Sequence, residues 1–250
     1  MIRALLTVLG LSVPLLALAT EPTIPDLPST AVAATGAAAP GAEVKFSEAE
    51  TRMWMTNQLQ TVTRPLTISY EFHKNGGFES GFDDRVEFKI TKINADGSKA
   101  ADLQFMTGDR RFPVPPVDST TVNPIMKIYL QGDVYEMNRL TDPNGSARER
   151  WRYFQRRIKL ALAEAATVKS MSFDFDGRTW AGYEISFAPY INDPKRESFP
   201  RFAAKHYSVI VSDELPGYLY RIETIIPGEN GASEPLIREV LQLSAVKPAG

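Results

Sequence analysis

The chain of 250 residues contains no cysteine and only two histidines, His73 and His206. Disulfide staples and thiolate nucleophiles are therefore excluded. The two histidines are far apart, each on the polar phase of an alternating run, and do not make a zinc site. A surplus of one charge is also missing. The 28 basic side chains face 30 acidic ones, a net charge of −2, which leaves no positive field for coating nucleic acid. Beyond residue 19 every apolar run is broken by charge or proline, short of the roughly 20 residues that a spanning helix needs.

The motifs of common catalysts are absent as well: there is no Gly-x-Ser-x-Gly elbow, no Gly-Lys-Ser/Thr phosphate loop and no Gly-x-Gly-x-x-Gly turn. Asp174-Phe175-Asp176-Gly177 opens like a calcium loop but lacks the later oxygen ligands, and it reads as a hairpin turn. The neighbouring acids Asp83 and Asp84, and Asp213 and Glu214, fall at turns, where carboxylates are ordinarily solvated. No catalytic residue, metal or cofactor is assigned, and a hydrolase built on an unrecognised carboxylate pair is the least favoured reading.

What is present begins at the N-terminus. Arg3, an apolar stretch from Ala4 to Leu16 broken by Pro14, and the small residues of Ala17-Leu18-Ala19 make residues 1–19 a signal peptide cleaved near Ala19. Export to the periplasm, or secretion, is expected, with no cysteine available for lipid attachment. Residues 20–45 carry Pro22, Pro25, Pro28 and Pro40 among small residues and no aromatic, which predicts a disordered leader. Residues 46–248 contain no comparable break and are expected to form one domain.

Within that domain, Ser47 and Glu50 make a capping box that predicts a helix near 47–59. Leu66, Ile68, Tyr70 and Phe72 then alternate with polar residues as a half-buried strand does. Val86, Phe88 and Ile90 repeat the pattern, as do Ala101, Leu103 and Phe105 after the turn at residues 94–98. Pro113, Pro115 and Pro116 demand loop or sheet edge. Residues 125–130 and 134–140, around Gln131-Gly132-Asp133, read as a hairpin. A second helix is predicted over 146–166, with Ser146 as N-cap and Glu149 as its box partner.

Alternation resumes through Phe173 and Phe175, the Asp176-Gly177 turn, Trp180, Ile185 and Phe187, then Tyr207, Val209 and Val211. Leu215-Pro216-Gly217 is turn chemistry, and Ile222, Ile226, Ile237, Leu241 and Leu243 close the pattern. About nine or ten strands joined mostly by tight turns imply a β-rich α+β fold: one curved antiparallel sheet, an incomplete barrel, with two helices packed on it.

Two features invite a functional reading. The second helix carries six cations, Arg148, Arg150, Arg152, Arg156, Arg157 and Lys159, against Glu149 alone over residues 148–159, while Trp151, Phe154, Ile158 and Leu162 form its apolar stripe. Arg148, Arg152, Arg156 and Lys159 are candidates for meeting an anionic partner. The second feature is aromatic supply. Phe72, Phe88, Phe105, Trp151, Phe154, Phe173, Trp180 and Phe187, with Phe175 and Tyr220, fall at positions assigned to the inner face. They would line a hydrophobic cavity if the sheet is strongly bent, and form plain core if it is not.

The order of exported leader, N-terminal helix, strand group, inserted helix and second strand group, across residues 47–246, resembles the LolA/LolB-like lipoprotein-carrier families. That resemblance implies an incomplete barrel closed by helices over a hydrophobic concavity that binds lipid or an acylated partner. It transfers no individual residue. The expectation is therefore an exported, non-enzymatic protein that holds a hydrophobic or amphiphilic ligand between sheet and helix. The alternative is a structural or interaction module of the cell envelope that uses the Arg-rich helix and has a fully packed core.

Overall fold

A computed structural model describes residues 45–142, 144–145 and 150–249. The expected signal peptide, almost all of the leader, and Ser146, Arg148 and Glu149 at the start of the second predicted helix lie outside the described residues. The N-terminal capping box is formed as expected: Ser47 Oγ accepts from the Glu50 amide while Glu50 reaches back to the Ser47 amide. The helix it starts is shorter than 47–59. One turn, α1 (Glu48–Glu50), widens at once into a π-helical turn, Thr51–Met55.

The alternating runs then form nine strands: β1 (Leu66–Asn75), β2 (Phe82–Ile93), β3 (Lys99–Phe105), β4 (Val117–Thr120), β5 (Thr167–Phe175), β6 (Arg178–Phe187), β7 (His206–Val211), β8 (Leu219–Ile226) and β9 (Ile237–Pro248). Their order across the one sheet is β4-β3-β2-β1-β9-β8-β7-β6-β5. Every pairing is antiparallel. The first and last strands meet at the centre, with Phe72 opposite Leu241 and Tyr70 opposite Leu243. Shifts of register at Ser69/Tyr70, Ile90/Lys92 and Ile210/Val211 are bulges, which bend strands and increase twist. The sheet does not close into a barrel, and β4 and β5 remain its edges.

Turn chemistry follows the sequence closely. Asp176 (φ 52°) and Gly177 (φ 70°) both adopt left-handed backbone between β5 and β6, as a tight hairpin requires. Between β7 and β8, Gly217 (φ 84°) sits where a Cβ would come within 2.3 Å of Ile68 Cδ1, so the position needs glycine on two counts.

The hairpin expected over residues 125–140 is replaced by a helix, α2 (Pro124–Thr141), and the second predicted helix is α3 (Arg150–Glu164). Among the described residues three α-helices, rather than two, therefore accompany the sheet. The strand count survives because the short edge strand β4 stands in the proline-rich segment. In α2, Ile125, Met126, Tyr129, Leu130, Asp133, Val134 and Met137 are buried, a spacing of three and four that fits a helix and not a hairpin. Asn123 caps it, accepting from the Ile125 amide at 3.0 Å, and Pro124 occupies the first turn. Each large apolar side chain fully buried in this way contributes about 1.5–3 kcal/mol. Both helices lie in the connection from edge strand β4 to edge strand β5, and so cross from one border of the sheet to the other.

Candidate functional site

The strand registers assign one face to Ile68, Tyr70 and Phe72 of β1, Leu241 and Leu243 of β9, Ile222 of β8, Val209 and Tyr207 of β7, and Ile185 and Phe187 of β6. This inner face is buried throughout those positions. At its centre it is broken at Lys74, Glu239 and Thr224, which are neighbours: Lys74 stands opposite Glu239, and Glu239 opposite Thr224.

Helix α2 brings its own polar groups to the same region. Tyr129, Asp133 and Glu136, spaced by four and three, share one side of the helix. The hydroxyls of Tyr129 and Thr224 are 3.4 Å apart. Lys74 Nζ lies 2.8 Å from Glu136, 2.7 Å from Glu79 and 3.2 Å from Glu239. Arg139 extends the network, 2.7 Å from Glu136 and 2.8 Å from Glu79. Burial opposes the charge on Lys74, but Glu239, Glu136 and Glu79 outweigh it and hold the ammonium above its ordinary value. Burial would likewise raise the Glu136 carboxyl. The hydrogen bonds from Arg139 and Lys74 dominate and bring it down to about 2.

Asp133 is the deepest of these groups. Lys205 Nζ donates to one of its carboxylate oxygens, and the Tyr207 hydroxyl donates to the other at 2.6 Å. The Tyr190 hydroxyl lies behind, 3.3 Å from that of Tyr207, whose ring stacks on Phe187 at 4.7 Å. Burial, and then the negative charge of Asp133, keep both tyrosines protonated far above the ordinary range. Withdrawing an ion pair from water costs several kcal/mol per ion, so this pair contributes little net stability. What it does is fix α2 at one place above the sheet.

The start of α2 is fixed by Asn123. Its side-chain amide donates to the Gly217 carbonyl at 2.8 Å and to the Tyr70 hydroxyl at 3.2 Å, and its backbone amide donates to Gln58 at 2.8 Å. Helix α3 is seated differently. Phe154 meets Tyr190 and Phe199 edge to face, with ring centroids 5.4 and 5.5 Å apart, and Arg157 pairs with buried Asp193 at 2.7 Å. Tyr153 also donates to Asp193. The loop between β6 and β7 is thus the platform for α3.

The aromatic candidates divide by face. Phe72, Phe88, Phe105 and Phe187 lie on the inner face and Phe154 on the buried side of α3, all buried. Trp151 is half-buried, its ring 5.4 Å from that of Tyr135 between the two helices. Phe173 and Trp180 correct the inward assignment. They pair with each other on the face opposite Ile185 and Phe187, where Phe173 stacks on Tyr220 at 4.0 Å, with Phe175 at 6.3 Å from the same ring. These four residues form a separate cluster on the outer face.

The cations divide too. Arg150 donates to the Thr141 carbonyl and to Ser198, and Arg157 is turned to Asp193, so both serve the fold. Arg152, Arg156 and Lys159 are exposed and recur at i, i+4 and i+7, one stripe along α3 facing away from the sheet. The positive charge on the inner face is therefore not theirs. It belongs to Lys205 and Lys74, neither of which is among the sequence candidates. Lys205 shares the phase of Tyr207 and Val209, and a lysine on the buried phase of a strand run was the signal that could have marked it.

Two open depressions lie among the described residues, the first mainly polar and the second mainly apolar in its lining. One of about 380 Å³ lies along residues 192–197, and one of about 390 Å³ lies beside Glu184, His206 and Ser208 on the outer face. Among the described residues no helix is long and apolar enough to cross a membrane.

No family model and no curated protein sequence matches the chain. Among solved structures, similarity is found to the lipoprotein LppX of Mycobacterium tuberculosis, at 10% identity over 82% of this chain and 99% of that one, with a TM-score of 0.33. The LolA superfamily protein NE2245 of Nitrosomonas europaea matches at 10% identity over 81% and 94%, with a TM-score of 0.21. The MucA/MucB complex structure of Pseudomonas aeruginosa matches at 11% identity over 81% and 59%, with a TM-score of 0.33. The resemblance to LolA-like proteins is weak and one of fold alone.

Proposed function

We propose that the protein binds an amphiphilic ligand, a lipid or an acylated partner, between the inner face of the sheet and α2, which lifts to admit it. The observation that carries this reading is how the roof is held. An apolar bed spans the sheet, yet α2 is fastened over it by Asp133–Lys205, Glu136–Lys74 and Tyr129–Thr224. Such polar and charged groups regain hydration as the helix rises, which offsets part of the cost of parting them. The apolar bed does not regain anything from water, and an acyl chain can take the helix's place over it at about 0.8 kcal/mol per buried methylene. Binding alone is invoked, without catalysis. Export through residues 1–19 would bring the protein to the envelope, where such ligands are abundant.

The test is native mass spectrometry after mild purification, together with titration of a fluorescent fatty acid. The reading expects a bound mass in the lipid range and saturable uptake. A ligand-free spectrum with no uptake overturns it.

A second reading concerns the outer stripe of α3, because Arg152, Arg156 and Lys159 share one exposed line. That stripe suits an anionic partner at the envelope, such as lipid headgroups or an acidic protein surface. The double variant Arg156→Glu/Lys159→Glu is expected to keep folded-state stability within about 0.5 kcal/mol while losing retention on anionic vesicles. Unchanged retention removes this reading and leaves the first intact.

A further inference from the structure

We infer that Lys205 and Tyr207 form a buried anion site for the ligand's headgroup, and that Asp133 of α2 occupies that site while the roof is closed. The inference rests on the proposed binding of an amphiphile beneath α2 and names its chemical class: a single acyl chain ending in a carboxylate or a comparable compact anion. Three observations carry it.

The first is stoichiometry. Lys205 is 1% exposed and has Asp133 as its ion-pair partner, so lifting α2 takes away the counter-charge of this lysine. A ligand that brings its own negative charge restores the balance, and a neutral or cationic one does not. The second is geometry. The two donors address the two oxygens of one carboxylate separately, Lys205 on one and Tyr207 on the other at 2.6 Å, which is the arrangement a fatty-acid headgroup needs. The third is position. The site stands at the head of β7, and the inner-face positions Val209, Ile222 and Leu241 continue from it across three adjacent strands, so a chain attached to the headgroup has an apolar path away from it. The Tyr207 ring, stacked on Phe187, keeps its hydroxyl fixed for an incoming anion as for Asp133.

The test compares three probes with equal chains, dodecanoate, dodecanol and dodecyltrimethylammonium, by calorimetry on the full mature chain. Dodecanoate is expected to bind at least about tenfold more tightly than either of the others. Lys205→Gln is expected to erase that preference, and Tyr207→Phe to reduce it. Asp133→Asn removes the internal competitor as well as loosening the roof, and is expected to raise dodecanoate affinity by about tenfold more than it raises dodecanol affinity. Circular dichroism of each variant checks the fold. Should Lys205→Gln fail to fold, Tyr207→Phe, which keeps the ion pair, decides. Equal binding of all three probes by the wild type, or a preference that survives in the folded variants, overturns the headgroup site while the binding function stands. No binding of any probe overturns both.

Discussion

Asp133, on the buried side of α2, and Lys205, one residue ahead of β7, close on each other inside the protein, with both side chains 1% exposed. Removing one partner leaves the other charged and unsolvated. Asp133→Ala is therefore expected to cost about 3–5 kcal/mol in urea unfolding, whereas the double variant Asp133→Leu/Lys205→Met stays near wild-type stability or rises above it. The double variant should also take up less fluorescent fatty acid, because an apolar pair gains no hydration when α2 lifts. Equal losses for the single and double variants would show that the pair does not act as a unit.

Gly132 stands in the middle of α2, exposed, where an added Cβ would meet nothing within 4 Å. Glycine there carries only its entropic cost. Gly132→Ala is expected to stabilise the protein by about 0.5–1 kcal/mol, read as a higher urea midpoint at unchanged slope.

Asn123 caps α2 and ties it to the Gly217 carbonyl and the Tyr70 hydroxyl. Asn123→Ala removes the cap and leaves these buried groups short of a partner. A loss of about 1–3 kcal/mol is expected, with faster hydrogen exchange concentrated in the first turns of α2.

The Glu136 carboxyl, ordinarily near 4.5, is lowered to about 2 in the folded protein. A lowered folded-state value means that the unfolded chain binds the proton more readily. The stability Glu136 supplies is thus complete above about pH 4.5 and lost as pH falls towards 2. In thermal unfolding followed against pH, wild type and Glu136→Gln should differ most at neutral pH and converge near pH 2. A gap that stays constant through that window would mean the carboxylate is not held by Lys74 and Arg139.

Most of the sheet was legible because period-two runs such as Leu66, Ile68, Tyr70 and Phe72 must place one side in the core. Helix α2 was misread for a local reason: Gln131-Gly132-Asp133 looks like a turn, and the runs on either side are rich in isoleucine, tyrosine and valine, which suit strands. The Asn123-Pro124 start and the buried spacing of Tyr129, Asp133 and Met137 carried the opposite signal. Phe173 and Trp180 were placed on the wrong face because alternation tells which residues share a side, and not which side is covered. Near the β5 edge both faces carry aromatics. The Asp133–Lys205 pair was out of reach altogether, since only the fold brings together residues 72 positions apart.

The most direct measurement is methyl NMR of the protein with a doxyl-labelled stearate. The account predicts paramagnetic broadening of Ile185, Val209, Ile222 and Leu241 on the inner face, with Ile210, Ile225 and Val240 on the outer face left sharp. Broadening confined to the exposed Leu160 and Ile191, or to outer-face methyls, would contradict it.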